Sequence, residues 1–352
     1  SSQVYCTLIW VSTFSGQGLV TGASGLVGAN LVRALLAQGR QVRALVRSDR
    51  RALEGLDVEP FVADILDVEA LTRATVGVDV VYHLAGSISI EMGGGAEVRD
   101  VNVVGTRNVV RACLGTAVRR LVHFSSIEAL RHEPLDRPVD ESRPLVDESL
   151  PIAQAALLPP YERTKAQGER EVLAGLARGL NAVIINPTAI LGPCDFKPSY
   201  LGEALLLLAR GHIPALVSGG FDWVDVRDVV AGALQAEALA PRGARYLLGG
   251  TWHTLREVAD LVAAETGRPA PRLSVPLGLA DAFAPVMLRV ARFSGGRPIY
   301  TRAMIRTLRG KRLVSHARAA DELGYTARPL AESIRDALAW FRDNGYLNGV
   351  AQ

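Results

Sequence analysis

The chain has 352 residues, of which 49% are hydrophobic and 21% are charged, a composition typical of a globular protein. Its formal net charge of +3, without a basic run interleaved with aromatic residues, argues against a nucleic acid partner. The three cysteines are far apart and in no metal-ligand spacing, so we expect reduced thiols in a cytoplasmic protein and no metal site.

The first segment, residues 1–17, contains an apolar patch from Val4 to Phe14 without a basic start. Serine and threonine interrupt the patch, and it is too short to span a bilayer. We expect an extra edge segment or a poorly specified extension there, and no stable membrane insertion.

From Leu19 to Asn186, short apolar runs such as GLVTG and DVVYHLAG alternate with longer segments of helical periodicity. This alternation predicts an α/β fold with a Rossmann-type, doubly wound parallel sheet. Residues 221–239 and 244–250 predict a helix and a strand that return to this sheet. We therefore predict a dinucleotide-binding domain from residues 1–186 plus 219–250. Residues 187–218 plus 251–352, with the apolar helix 276–293 in their core, predict a smaller, mainly helical C-terminal substrate lobe.

A glycine-rich loop, TGASGLVG at 21–28, follows the first predicted strand and opens a predicted helix. Such a turn lets backbone N–H groups approach a pyrophosphate at a helix N-terminus, where the helix dipole favours negative charge. The alternative is a tight turn without a ligand. The residues predicted to contact the cofactor here are Gly22, Ser24, Gly25, Leu26, Val27 and Gly28.

The second predicted strand ends at Arg47, where an NAD site usually places an acidic residue that accepts the ribose 2′-hydroxyl. A guanidinium pairs instead with a 2′-phosphate, so Arg47 favours NADP(H) over NAD(H). The alternative is a solvated basic loop in an arginine-rich chain.

Of the 39 lysines and arginines only three are lysines, and one of them, Lys165, stands four residues after Tyr161 in YERTK. Residues four apart lie on one face of a helix, so both side chains can serve one site. A nearby ammonium favours phenolate and lowers the pKa of a phenol from about 10 toward the working range. The pair therefore predicts a proton-transfer site.

The segments TGASGLVG, VADILD, VVYHLAG, VNVVGTRNVV, LVHFSSIEAL, YERTK and NPTAILGP follow one another from about Gly18 to Asp228. In them the chain resembles the extended short-chain dehydrogenases/reductases, also called the NAD-dependent epimerase/dehydratase family. Within that family it looks most similar to the dihydroflavonol-reductase and 3β-hydroxysteroid-dehydrogenase branches. The resemblance also implies a homodimer.

The resemblance assigns further residues to the site. Ser126 would hold the substrate oxygen while Tyr161 donates a proton and Lys165 contacts the cofactor ribose, with Ser125 as the alternative hydroxyl. Asn102 would open a helix and tie neighbouring backbone together. The other residues implied to contact the cofactor are Asp64 and Ile65 at the adenine, His83, Leu84, Ala85 and Gly86 where the fourth strand ends, and Pro187 and Thr188 beside the nicotinamide.

We therefore expect an NADP(H)-dependent oxidoreductase that reduces a ketone or aldehyde, or oxidises the alcohol, on a hydrophobic or cyclic small molecule. Apolar residues of the lobe, among them Leu201, Phe221, Trp223 and Phe283, favour an uncharged substrate. One alternative is a nucleotide-sugar epimerase or dehydratase with a transient keto intermediate, whose second phosphate site Lys197, Arg210 and Arg227 could supply. The other is a non-catalytic dinucleotide-binding sensor. The long, acidic segment between Ser126 and Tyr161 predicts an irregular loop over the site.

Overall fold

The computed structural model of the chain describes residues 16–88, 95–146, 158–282, 304–305, 307–308 and 313–347. The N-terminal patch from Val4 to Phe14 lies outside these residues, and so does the predicted apolar helix 276–293 from Phe283 onward. Within the described ranges, no helix combines the length and hydropathy needed to cross a membrane. The same ranges contain no group of metal-ligating side chains arranged to hold an ion.

The centre of the molecule is a seven-stranded sheet in which every pairing is parallel. Its strands are β1 (Gly18–Thr21), β2 (Val42–Val46), β3 (Glu59–Val62), β4 (Val80–His83), β5 (Arg120–Phe124), β6 (Ala182–Pro187) and β10 (Arg245–Leu248). The spatial order is β10-β6-β5-β4-β1-β2-β3. The order reverses between β1 and β4, which is the point where doubly wound sheets bind dinucleotides.

Helices cover both faces of this sheet, as the apolar runs of its strands predict. One face packs against α1 (Leu26–Ala37), α7 (Val226–Leu239) and α9 (Ala317–Leu323) in a core that contains Val20 and Val122. The other face packs against α2 (Val68–Ala74), α4 (Thr106–Gly115) and α5 (Pro160–Ala177) in a core that contains Leu19 and Leu121. A short helix α3 (Gly95–Arg99) and a π-helical stretch (Asp100–Gly105) run into α4. The Rossmann-type fold is confirmed.

A second set of elements packs around its own apolar cluster. It contains a three-stranded sheet of β11 (Thr251–Thr254), β9 (Gly220–Asp225) and β7 (Ala189–Leu191), and a pair of β12 (Leu273–Val275) and β8 (Ala215–Val217). Its helices are α6 (Tyr200–Ala209), α8 (Leu255–Thr266) and α10 (Leu330–Asp343). Because β7 begins two residues after β6 ends, Thr188 joins the two sheets.

The segment 221–239 differs from the prediction of a single helix. Its first part belongs to the buried strand β9, and α7 begins only at Val226, where the Asp225 carboxylate accepts a hydrogen bond from the N–H of Arg227. This cap ends the strand and starts the helix, because a side-chain oxygen satisfies an N–H that the first turn leaves unpaired.

The described part of the long loop after β5 packs against the edge of the sheet. It starts with a 3-10 turn (Ile127–Ala129) and is held by a bridge between Leu130 and Leu145. Its apolar side chains cluster with Ala166 of α5 and Leu247 of β10. Residues 147–157 of this loop lie outside the described ranges.

Candidate active site

The glycine loop lies between β1 and α1, at the carboxyl edge of the sheet. Gly22 has a φ of +69°, and an added Cβ would lie 2.8 Å from the backbone nitrogen of Ala85. A Cβ on Gly28 would lie 2.2 Å from the Gly22 oxygen. Helix α1 starts after Gly25, and no side chain caps it. The loop therefore requires glycine for close packing, and it leaves first-turn N–H groups to an anionic ligand.

A buried hydrogen-bond chain holds the loop that follows β4. The Thr21 hydroxyl accepts from the next two backbone N–H groups after His83, each at 3.1 Å, so its proton points to His83 Nδ1 at 2.9 Å. Thr106 donates to the Asn102 carbonyl at 2.7 Å, and therefore accepts from His83 Nε2 at 2.9 Å. Burial and the charge of Lys165 lower the pKa of His83 to about 3, so the ring is neutral. His83 has a structural role here.

Asn102 connects the loop after β4 to helix α5. Its side chain exchanges two hydrogen bonds with the backbone of Ser87 and donates to the Thr164 hydroxyl at 3.1 Å. The predicted tie is present, although Asn102 lies inside the π-helical stretch and not at a helix start. A Cβ on Gly168 would lie 2.5 Å from the Asn102 oxygen, so glycine lets α5 approach this stretch closely.

Most of the predicted residues meet at one cavity of about 390 Å³. Ser24 and Ala85 belong to the same loops without lining it. Arg47, Asp64 and Ile65 lie beyond it, after β2 and β3. The predicted residues that line the cavity are Gly22, Gly25, Leu26, Val27, Gly28, Leu84, Gly86, Ser126, Tyr161, Lys165, Pro187 and Thr188.

Tyr161, Lys165 and Ser126 lie together at the end of β5. The Tyr161 hydroxyl lies close enough to the Ser126 side chain to interact with it, and the Ser126 Oγ accepts from the backbone N–H of Glu128 at 3.1 Å. One turn further along α5, Lys165 Nζ donates to the Phe124 carbonyl at 2.9 Å. Helix α5 and the end of β5 thus bring a phenol, an ammonium and a hydroxyl to one wall.

The pKa of Tyr161 differs from the expected lowering. Burial raises it to about 12, the Ser126 side chain opposes this, and the nearby Glu128 charge adds to it. Burial lowers the pKa of Lys165 to about 8, against the opposing effect of Glu169. Burial outweighs the charge effects at Tyr161, so the phenol is protonated at neutral pH.

Two features of the wall fit a dinucleotide. The uncapped N-terminus of α1 suits a pyrophosphate. The Ser125 hydroxyl, which lines the cavity, is buried and has no hydrogen-bond partner within the described part of the chain. Because buried polar groups are normally paired, this hydroxyl suits a polar group of a bound molecule.

Arg47 and Asp64 follow neighbouring strands at the same edge of the sheet, since Val46 pairs with Val62. Both side chains are exposed. The Asp64 carboxylate accepts from the Leu66 N–H at 2.9 Å. The connection from β2 to β3 that contains Arg47 also contains Arg51, which is held by Asp49 at 2.7 Å.

The rest of the cavity wall is mostly apolar, and it contains two carboxylates that were not predicted from the sequence. Glu128 follows Ser126 by two residues in the segment FSSIEAL, so its position in the sequence could have predicted its place at the site. Asp222 comes from β9, which no local pattern links to the site; burial raises its pKa. Among the described residues of the wall, Lys165 is the one basic side chain. The apolar side chains are Ile88, Phe124, Ile127, Ala189, Ile190, Leu201 and Phe221.

Comparisons with known proteins agree with this geometry. The chain is 39% identical over 333 residues, 94% of its length and 99% of the relative's, to sterol demethylase protein B of Methylococcus capsulatus. It is 34% identical to a putative dihydroflavonol 4-reductase of Synechocystis, over 93% of this chain and 95% of that protein. The crystal structure of gox2253 superposes with a TM-score of 0.81 at 32% identity, covering 95% of this chain and all of that one. Residues 18–249 match the NAD dependent epimerase/dehydratase family. The chain belongs to this family, and it is an NAD(P)-dependent oxidoreductase of the extended short-chain dehydrogenase/reductase type.

Proposed function

We propose that this enzyme uses NADP(H) to reduce a ketone or aldehyde, or to oxidise the corresponding alcohol, on an uncharged hydrophobic or cyclic small molecule. The observation that carries the proposal is that Tyr161 and Ser126 lie side by side in the wall of a largely apolar cavity, with Lys165 one helical turn away. The glycine loop forms the other end of the same cavity.

In this proposal the protein supplies the proton and the bound dinucleotide supplies the hydride. The protonated phenol of Tyr161 donates its proton to the oxygen on which negative charge develops. The Ser126 hydroxyl, oriented by the Glu128 N–H, holds that oxygen. The Lys165 ammonium stabilises the phenolate left after proton transfer.

Arg47 supports the preference for NADP(H). Its side chain is exposed after β2, at the edge where Asp64 follows β3. A guanidinium in this place can pair with a 2′-phosphate by charge-assisted hydrogen bonds. Arg51 is less suited to the same role, because its guanidinium is already paired with Asp49.

The charges near the cavity disfavour a nucleotide-sugar substrate, which carries an anionic pyrophosphate. The Glu128 carboxylate lines the cavity beside Ser126 and Tyr161, and its negative charge would repel an anionic substrate. Two arginines considered for a second phosphate site are engaged elsewhere, Arg227 with Asp225 and Asp336, and Arg210 with the Tyr346 carbonyl. An uncharged substrate is also in line with the relatives named for a sterol and a dihydroflavonol.

The decisive experiment is a panel assay that follows NADPH oxidation. We expect turnover with cyclic ketones, steroid ketones or aldehydes, and none with UDP-sugars. A parallel assay with NAD⁺ and UDP-sugars tests for epimerised products. Sugar epimerisation without carbonyl reduction would overturn the proposal in favour of the epimerase alternative.

A further inference from the structure

Glu169 lies one helical turn after Lys165 on α5 and is fully buried. One carboxylate oxygen is ion-paired with the guanidinium of Arg245 on β10. The other accepts a hydrogen bond of 3.1 Å from the amide of Asn186 on β6. A buried carboxylate with both oxygens bound is fixed in place.

The partners of Glu169 connect it to the site and to the loop after β5. The Asn186 amide also donates to the Ser126 carbonyl at 2.9 Å. Arg245 reaches the Glu141 carbonyl at 3.4 Å, and the Glu141 side chain accepts from the Leu247 N–H at 2.8 Å. The carboxylate therefore lies in a network that joins α5, two strands and the Ser126 segment.

Besides Tyr161, three titratable groups of the described residues interact electrostatically with Lys165, and each comes from a different element. His83 of β4 and His123 of β5 are buried imidazoles whose pKa values lie below their ordinary range, so both are neutral near pH 7. Glu169 of α5 is the remaining group, and its negative charge raises the pKa of Lys165 against the effect of burial. Arg245 partly offsets that charge.

We propose that Glu169 is a positioning residue of this enzyme and acts through Lys165. Its carboxylate, held by Arg245 and Asn186, keeps the Lys165 ammonium charged in the pH range in which the enzyme is active. The proposal rests on the proposed function for the role of Lys165 in turnover. A buried ammonium needs a paired or nearby negative charge to stay ionised, and Glu169 has the spacing of a helical i,i+4 pair.

The test compares three variants by the pH dependence of kcat/KM for reduction. Glu169→Gln keeps the size of the side chain and removes its charge. The alkaline limb, that is, the pH range in which kcat/KM falls as pH rises, should therefore shift to lower pH by about one pH unit or more. Arg245→Gln leaves the Glu169 charge without its counter-ion, so the limb should move up. Glu171→Gln is the matched control, because Glu171 is on the same helix but pairs with Arg107 near the surface at 2.7 Å, and it should leave the limb in place.

A second readout needs no substrate. The chain contains three lysines, Lys165, Lys197 and Lys311, so ¹³C-lysine labelling gives few side-chain NMR signals, and Lys197→Arg and Lys311→Arg assign them. We expect the titration midpoint of Lys165 to fall in Glu169→Gln and to rise in Arg245→Gln. An unshifted Lys165 in either folded variant overturns the inference while leaving turnover intact. Shifted midpoints in a protein that reduces no carbonyl overturn the proposed function alone.

Discussion

The side chains of Tyr161 and Ser126 lie against each other in one cavity wall, although Tyr161 stands in the first turn of a helix and Ser126 follows a strand. A parallel sheet explains the contact, because its strands end at one edge and the helices that follow begin there. The phenol and the hydroxyl reach the same cavity wall from two separate elements. The two side chains can therefore hold a single substrate oxygen.

Tyr161→Phe should lower kcat for carbonyl reduction by about 100-fold or more, because the ring stays in place while its proton is lost. NADPH affinity should stay within about twofold, since the removed hydroxyl is one small part of the contact surface. Stopped-flow turnover and fluorescence titration with NADPH measure the two quantities. Tyr200→Phe, which removes the hydroxyl of another tyrosine of the cavity wall, is the control. Comparable turnover in Tyr161→Phe and wild type would contradict the proton-donor role.

Arg47→Asp should reverse the cofactor preference. Loss of one charge-assisted hydrogen bond costs about 1.5–3 kcal/mol, so the ratio of kcat/KM with NADPH to that with NADH should fall by about 10- to 100-fold. Most of the change should appear in KM for NADPH. Arg51→Gln removes a neighbouring guanidinium that Asp49 already holds, and should leave the ratio nearly unchanged. Equal ratios in wild type and Arg47→Asp would exclude a 2′-phosphate contact.

The kcat/KM for reduction should fall as pH rises above about 8, where Lys165 loses its proton. The sign follows from the role of the charge: the protonated ammonium is the active form, so activity is present below this pKa and lost above it. His83 cannot produce this limb, because its pKa of about 3 keeps it neutral throughout. In Lys165→Met the remaining kcat/KM should not fall as pH rises through about 8. A limb that survives in Lys165→Met would assign the titration to another group.

The cofactor half of the site could be predicted from the sequence because short contiguous segments encode it. TGASGLVG and FSSIEAL each combine the end of a strand with the start of the next element, and YERTK lies in the first turns of α5. Parallel topology brings these segments to one edge of the sheet. Gly22 and Gly28 show the reason for the motif, since a side chain at either position would collide with backbone.

The substrate half could not be predicted in the same way, because its residues come from elements whose partners are distant. Asp222 lies on β9, which pairs with β7 and β11 in the smaller sheet, and nothing in the segment FDWVD indicates those pairings. Leu201 and Phe221 were predicted only as apolar residues of the lobe, from composition and not from a motif. The sequence did not indicate the raised pKa of Tyr161 for a related reason. The burial of its hydroxyl depends on every element around the cavity, whereas the expected lowering rested only on Lys165, one helical turn away.

Two buried histidines on neighbouring strands should respond oppositely to replacement by leucine. The rings of His83 and His123 lie 5.2 Å apart, but His83 has both nitrogens hydrogen-bonded, while neither nitrogen of His123 has a partner among the described residues. His83→Leu should reduce the free energy of unfolding at pH 7.5 by about 2–4 kcal/mol, because Thr21 and Thr106 lose their partner. His123→Leu should leave the free energy of unfolding unchanged or raise it, because the variant no longer buries an unpaired polar ring.

The two variants should also differ in their response to pH. Burial lowers the pKa of His123, so as pH falls below about 6.5 the unfolded chain binds a proton that the folded chain does not bind, and stability is lost. His123→Leu should therefore lose less stability than wild type between pH 7.5 and 5.5. Urea unfolding at both pH values measures these differences, and a His123→Leu variant as unstable as His83→Leu would show that its imidazole is hydrogen-bonded in solution.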